Sequence, residues 1–173
     1  MKAGFYPRLA LDGIRKNKRL YLPYVLICIG TIMMYYIVTF LQYSQAINYM
    51  SGSATIAATL NLGGWVIAVF ACIFLFYTNS FIIRRRKKEF GLYNMLGMGK
   101  RNIGRILLWE TLIVFVIAAG LGLAAGIILS KLAELGLVNI MQAEVTYSLS
   151  VSFEAIGMTV IIFGAVFALL FLN

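Results

Sequence analysis

Residues 84–101 read RRRKKEFGLYNMLGMGKR, a basic segment that lies between two long apolar runs. The run before it, from Leu20 to Ile83, contains no charged residue at all. About 20 apolar residues suffice for a helix that crosses a bilayer, and both neighbouring runs are long enough. We therefore predict that this segment connects two membrane-spanning helices and is the largest soluble piece on its side of the membrane.

The composition of the 173-residue chain excludes an ordinary soluble domain. Apolar residues make up 62% of the chain and charged residues 12%, whereas globular domains have roughly 45–50% and 25%. The net charge of +9 does not indicate nucleic-acid binding, because the cations cluster in two blocks that flank apolar runs. The absence of histidine removes the commonest general base and disfavours an enzyme. The composition predicts an all-α polytopic membrane protein.

Four apolar runs are long enough to span a membrane. We predict spans at about residues 21–41, 60–83, 106–129 and 154–172, with short outer loops at 42–59 and 130–153. In the second loop, alternating apolar residues at 145–153 predict a short extended piece. A cleaved signal peptide is disfavoured for the first run, which is longer than a signal core and has no A-x-A site after it.

The distribution of Lys and Arg predicts the orientation. Of the fifteen such residues, six lie in residues 1–19, eight in residues 84–105, and only Lys131 in an outer loop. Short loops rich in Lys and Arg remain cytoplasmic. We therefore expect both termini in the cytoplasm.

The first 19 residues form a separate segment from the membrane domain at 20–173. Arg8, Asp12, Arg15 and Arg19 recur at helical spacing on one face, with apolar and small residues on the other. This pattern predicts an amphipathic helix in the membrane interface, with its cations toward anionic headgroups. The equally weighted alternative is that these cations serve only to fix the orientation of the chain in the membrane.

The segment at 84–105 has more structure than an orientation signal needs. Leu92 and Leu96 lie one helical turn apart, and the glycines Gly97 and Gly99 interrupt the helix after them. We predict a short cytoplasmic helix over residues 86–96 that docks a soluble partner. The alternative is a purely topogenic basic loop, and a nucleic-acid role is disfavoured between two spans.

Two features of the third predicted span stand out. Glu110 lies one turn inside it, with Arg105 five residues earlier, and we interpret it as a partnered interfacial charge rather than a proton or substrate site. Ala118, Gly122 and Gly126 repeat at four-residue spacing and predict a smooth ridge for close helix packing. Cys28 and Cys72 lie inside predicted spans and indicate no disulfide.

The segment at 84–105, with its basic run, Glu-Phe-Gly-Leu, Leu-Gly-Met and basic return, resembles the FtsX-like permease domain of ABC transporters. The N-terminal GIRKNKRLYLPY and the FYTNS at 76–80 are similar to the bacitracin-resistance type. The resemblance covers essentially the whole chain, as the first four of about ten spans. The fourth predicted span stops at Asn173 with no basic residue after it, so we also expect a piece of a longer protein or a truncated product.

The resemblance implies a permease subunit of the bacterial plasma membrane that pairs with a separate ATPase, and often with a membrane histidine kinase. Such permeases act in resistance to peptide antibiotics or in sensing them. The chain has no G-x-x-x-x-G-K-[ST] loop, so ATP would be bound by another chain and no cofactor is expected. The remainder of the permease is a further expected partner. The alternative is a non-transporting four-span interaction or sensor-accessory protein. By resemblance, the ATPase contact maps onto Glu89, Phe90, Gly91, Leu92, Leu96, Gly97 and Met98.

Overall fold

The computed structural model describes residues 5–44, 53–95, 97–141 and 152–172, which form six helices. They are α1 (Phe5–Lys16), α2 (Lys18–Tyr43), α3 (Ser53–Arg85), α4 (Lys87–Met95), α5 (Lys100–Met141) and α6 (Phe153–Leu172). These described residues contain no strand, and the all-α prediction is confirmed. The extended piece predicted at 145–153 lies outside the described residues except for its end, which belongs to α6.

Four of the helices are long and apolar enough to cross a membrane. The candidate spans are Lys18–Tyr43, Ser53–Arg85, Arg101–Gly136 and Phe153–Leu170, with lengths of 26, 33, 36 and 18 residues. They coincide with the four predicted spans. The chain is therefore a multi-pass membrane protein.

Two helices are longer than their apolar runs indicated. The helix α3 begins at Ser53, inside the predicted first outer loop, and α5 continues to Met141, well into the predicted second one. Hydropathy reports where lipid surrounds a helix and does not report where the backbone stops being helical. The sequence Lys131-Leu132-Ala133-Glu134 contains no Gly or Pro and consists of strong helix formers, so α5 continues through it.

The helix α2 lies at the centre of the bundle. It packs most extensively against α5, and also against α3 and α6. The core contains aromatic and branched side chains from all four long helices, namely Tyr21, Tyr24, Cys28, Ile32, Tyr35, Ala71, Leu75, Ile82, Val114, Ala118, Phe163, Val166, Phe167 and Leu170. The helix α2 therefore contacts every other long helix of the bundle.

The small residues of α5 lie against α2. Ala118 is fully buried, and a Cβ atom added to Gly122 would come within 2.9 Å of the Cγ2 atom of Ile32. A Cβ atom on Gly126 would likewise come within 2.9 Å of Cδ1 of Tyr36. Real Cβ atoms do not approach so closely, so glycine at these two positions allows the close contact between α2 and α5.

The first helix is amphipathic and packs on the bundle. Its buried side consists of Ala10 and Gly13, and α1 contacts mainly α5. Arg8, Asp12 and Arg15 are exposed on the opposite side, as the spacing of charges predicted. A single residue, Asn17, separates α1 from α2.

Candidate functional site

The short helix α4 has a well-defined start and end. Its first turn begins at Arg86, whose carbonyl oxygen accepts hydrogen bonds from the backbone N–H groups of Glu89 at 2.9 Å and Phe90 at 3.1 Å. At its end, the N–H groups of Gly97 and Met98 donate to the carbonyl oxygens of Asn94 and Tyr93. Together with φ = +83° at Gly97, this is a Schellman cap, in which glycine accepts a left-handed conformation at little cost.

One side of α4 presents apolar side chains outside the bundle. Leu92 is 61% exposed and Met95 is 88% exposed, and no residue of α4 is buried. Glu89 and Phe90 are half-buried and face the bundle, while Gly91 is exposed. Of the other residues predicted to touch an ATPase, Gly97 is exposed and Met98 half-buried, and Leu96 lies outside the described residues.

Beneath α4, the Arg86 side chain connects charged and polar groups from three parts of the chain. Its Nη1 donates to Oε2 of Glu110 on α5 at 2.5 Å and to the hydroxyl of Tyr21 on α2 at 2.7 Å. Its Nε donates to Oε2 of Glu89 on α4 at 2.9 Å. The Tyr21 hydroxyl donates to the same Glu110 oxygen at 2.8 Å, and the Asn17 amide donates to Oε1 of Glu89 at 2.8 Å. We call these five residues the Arg86 network.

The centre of this network is closed to solvent. The side chains of Arg86 and Glu110 are 2% and 3% exposed, and the guanidinium lies over the rings of Phe90 and Tyr21 at 5.1 and 5.7 Å. The adjoining cavity has a volume of about 10 Å³, room for no more than about one water molecule. Because the protein's own side chains fill the space, the network is an internal connection and not a ligand pocket.

Helix α1 completes the enclosure through Gly13. A Cβ atom on Gly13 would lie 2.6 Å from Oε1 of Glu110 and 3.1 Å from Nη2 of Arg86. Only a residue without a side chain leaves room for the carboxylate at this position. Within the described part of the chain, that Oε1 atom accepts no hydrogen bond.

The charges of the network support one another. Burial alone would lower the pKa of Arg86, but its hydrogen bond to Glu110 and the nearby acidic groups outweigh this and raise the pKa above its ordinary value. Partial burial of Glu89 acts to raise its pKa, and hydrogen bonds from Asn17 and Arg86 reverse the effect and lower it. Ionised Glu89 therefore stabilises the folded network at any pH above the ordinary pKa of a glutamate. This stabilisation is lost as the pH falls through the lowered pKa that Glu89 has in the folded protein.

The structure gives Glu110 a partner that the sequence analysis did not identify. Arg105 lies five residues before Glu110, which places it about 140° around the helix from the carboxylate. Its guanidinium instead lies over the ring of Tyr6 on α1, 5.9 Å from the ring centroid. A carboxylate buried one turn inside a span needs a cation from a neighbouring helix, and Arg86 at the inner end of the preceding span meets that need. The need of Glu110 for a cation on a neighbouring helix was the feature of the sequence that could have indicated this ion pair.

Removing one member of such a buried pair costs about 3–5 kcal/mol, because the other charge is left without compensation. In the described residues, no group of three or more Cys, Asp or Glu residues is arranged to hold a metal ion. The Arg86 network connects the exposed helix α4 to the N-terminal parts of α2 and α5.

Comparison with known proteins agrees with this architecture. A family model described as FtsX-like permease C-terminal matches residues 61–172, which include α4 and three of the four spans. The bacitracin export permease protein BceB of Bacillus subtilis (strain 168) is 34% identical over 94% of this chain and 25% of its own length. BceB of Halalkalibacterium halodurans is 31% identical over 95% of this chain and 25% of its own length. A third relative, the ABC transporter permease protein YxdM of B. subtilis, is 25% identical over 72% of this chain and 20% of its own length.

The chain thus spans about a quarter of the length of the curated relatives it matches. The match to the family model covers more than half of the chain, and it includes the basic segment at 84–101 that separates the second and third spans. On this match, the chain belongs to the FtsX-like permease family.

Proposed function

We propose that this chain forms part of the membrane subunit of an ABC transporter, and that α4 docks on a separate ATPase subunit. The observation that carries the proposal is the exposure of Leu92 and Met95 on a capped, rigid helix. An exposed apolar ridge on a soluble helix is a common site of helix-in-groove recognition. The cations Arg84, Arg85, Lys87 and Lys88 surround the start of α4 and favour an acidic partner surface.

The relatives' names suggest the process in which the transporter acts. Two of them are bacitracin export permeases, so we propose a role in resistance to peptide antibiotics or in sensing them. The proposed orientation places α4 and both ends of the chain in the cytoplasm, where an ATPase is available. A membrane histidine kinase is a further proposed partner. The residues at 1–19 and 20–173 then act as an interfacial helix and a transmembrane domain.

The ATPase contact is tested by co-purification. A tagged permease that contains this chain is purified from its host's membranes, and a co-purifying subunit with a phosphate-binding loop and ATPase activity is expected. Leu92→Asp replaces an exposed apolar side chain with a charge and should weaken this association by about 2 kcal/mol or more, as for an interface hot spot. That corresponds to roughly 30-fold in affinity.

Asn94→Asp is the matched control, because it adds the same charge on the same helix without removing an apolar side chain. It should retain most of the bound ATPase, and both variants should reach the membrane in normal amounts. Undiminished ATPase binding by Leu92→Asp would contradict the proposed contact. Capture of a kinase or lipid with no ATPase would favour the four-span interaction protein instead.

A further inference from the structure

The helix α4 is attached to the bundle by very few groups. Its first turn bonds to the backbone carbonyl of Arg86, whose own N–H donates to the carbonyl oxygens of Ile82 and Ile83 at the end of α3. No residue of α4 is buried, and its only side-chain hydrogen bonds to other parts of the chain are those of Glu89 with Arg86 and Asn17 in the described residues. Arg86 is therefore the main point at which side-chain and backbone hydrogen bonds connect α4 to the described bundle.

The Arg86 side chain holds its hydrogen-bond partners in fixed directions. A guanidinium is planar, and its N–H groups leave in fixed directions. Nε points to Glu89 on α4, while Nη1 points to Glu110 on α5 and the hydroxyl of Tyr21 on α2. The backbone of Arg86 thus joins α3 to α4, and its charged end is anchored between α2 and α5.

The ion pair between Arg86 and Glu110 is much less exposed to solvent than the ion pair between Arg86 and Glu89. The Glu89 side chain is 28% exposed, whereas those of Arg86 and Glu110 are 2% and 3% exposed. Water therefore screens the Arg86–Glu89 pair but has no access to the Arg86–Glu110 pair. The contact between Arg86 and Glu110 is therefore the more resistant of the two to competition from water.

We propose that Arg86 is the positioning residue that transmits displacement of α4 to the inner ends of α2 and α5 through Glu110 and Tyr21. This inference rests on the proposed docking of an ATPase on α4. It assigns a different role to a different residue, because docking uses exposed side chains and transmission uses buried ones. An ATPase can therefore bind normally to a permease in which transmission has failed.

An apolar triple variant, Tyr21→Phe with Arg86→Met and Glu110→Met, separates transmission from folding. Replacing all polar members of a buried ion pair with apolar residues of similar volume is often neutral or stabilising, whereas single replacements leave an orphan charge. The triple variant should therefore unfold at a temperature close to that of the unaltered permease. It should also retain the ATPase on co-purification, because the exposed surface of α4 is unchanged.

The response of the ATPase is the decisive measurement. The ATP hydrolysis rate of the purified full-length permease complex is divided by that of the ATPase alone. Coupling between sites commonly changes binding affinities by roughly 5-fold or more, and we expect a change of similar size in the hydrolysis rate. We expect the ratio to depart from one in the unaltered complex and to return toward one in the triple variant. Arg101→Met removes an exposed arginine at the start of α5 and should leave the ratio unchanged.

A second variant tests the same inference if the triple variant does not accumulate. Arg86→Lys keeps a cation opposite Glu110, but a single ammonium group cannot reproduce the fixed connection to Glu89. The ratio of hydrolysis rates for this variant should also return toward one while the ATPase remains bound. An unchanged ratio in either accumulated variant, or a ratio of one in the unaltered complex, overturns the role of Arg86. Absence of any ATPase from the unaltered complex overturns the proposed function itself.

Discussion

Gly13 determines whether the Arg86 network can close. Its hydrogen occupies the space where a Cβ atom would lie 2.6 Å from Glu110 Oε1, and the buried carboxylate has little freedom to move away. We expect Gly13→Ala to destabilise the permease by about 1–3 kcal/mol, the usual cost of overpacking. Thermal unfolding of the purified protein measures this. Gly104→Ala is the control, since a Cβ atom there meets no atom within 4 Å, and a comparable loss in that variant would contradict the explanation.

The partner of Glu110 could not be predicted from the sequence, for a physical reason. Arg86 is one of five consecutive cations at 84–88, and which of them turns inward depends on the helical phase where α3 gives way to α4. The sequence did indicate that Glu110 needs a partner. It did not distinguish between candidates on different helices.

The helix α4 depends on its C-terminal cap for a fixed direction. Gly97 adopts φ = +83°, a conformation that costs a residue with a Cβ atom about 1–2 kcal/mol. Gly97→Ala should therefore loosen the end of α4 and raise amide hydrogen exchange in residues 87–95, with little effect on the spans. Gly99→Ala, where neither a positive φ nor a neighbouring atom interferes, is the matched control. Equal protection of α4 in the two variants would show that the cap is not needed.

At the scale of elements, the sequence predicted which helices exist better than where they end. The four spans and the short helix at 86–96 follow directly from apolar runs and from the glycines after them. The extent of α5 did not, because its 42 residues correspond to about 63 Å, roughly twice the thickness of the hydrocarbon core. Only the part within the lipid leaves a strong hydropathy signal.

At the scale of the whole molecule, the arrangement of helices connects one exposed surface to the centre of the bundle. The helix α2 contacts α3, α5 and α6, and its inner end carries Tyr21 of the Arg86 network. Gly122 and Gly126 of α5 allow close contact with α2 beside Ile32 and Tyr36. A displacement that enters at the inner end is therefore passed along two packed helices rather than absorbed locally. This function requires that α4 face the compartment that contains ATP.

The orientation is tested by the accessibility of single cysteines. Fourteen of the fifteen Lys and Arg residues lie in residues 1–19 and 84–105, so the positive-inside rule places α4 in the cytoplasm and the start of α3 outside. In a background with Cys28 and Cys72 replaced by Ala, we expect an impermeant thiol reagent to label Thr55→Cys in intact cells. Asn94→Cys should react only after the cells are permeabilised; both positions are exposed. Labelling of Asn94→Cys in intact cells would place α4 outside and remove the basis for its contact with an ATPase.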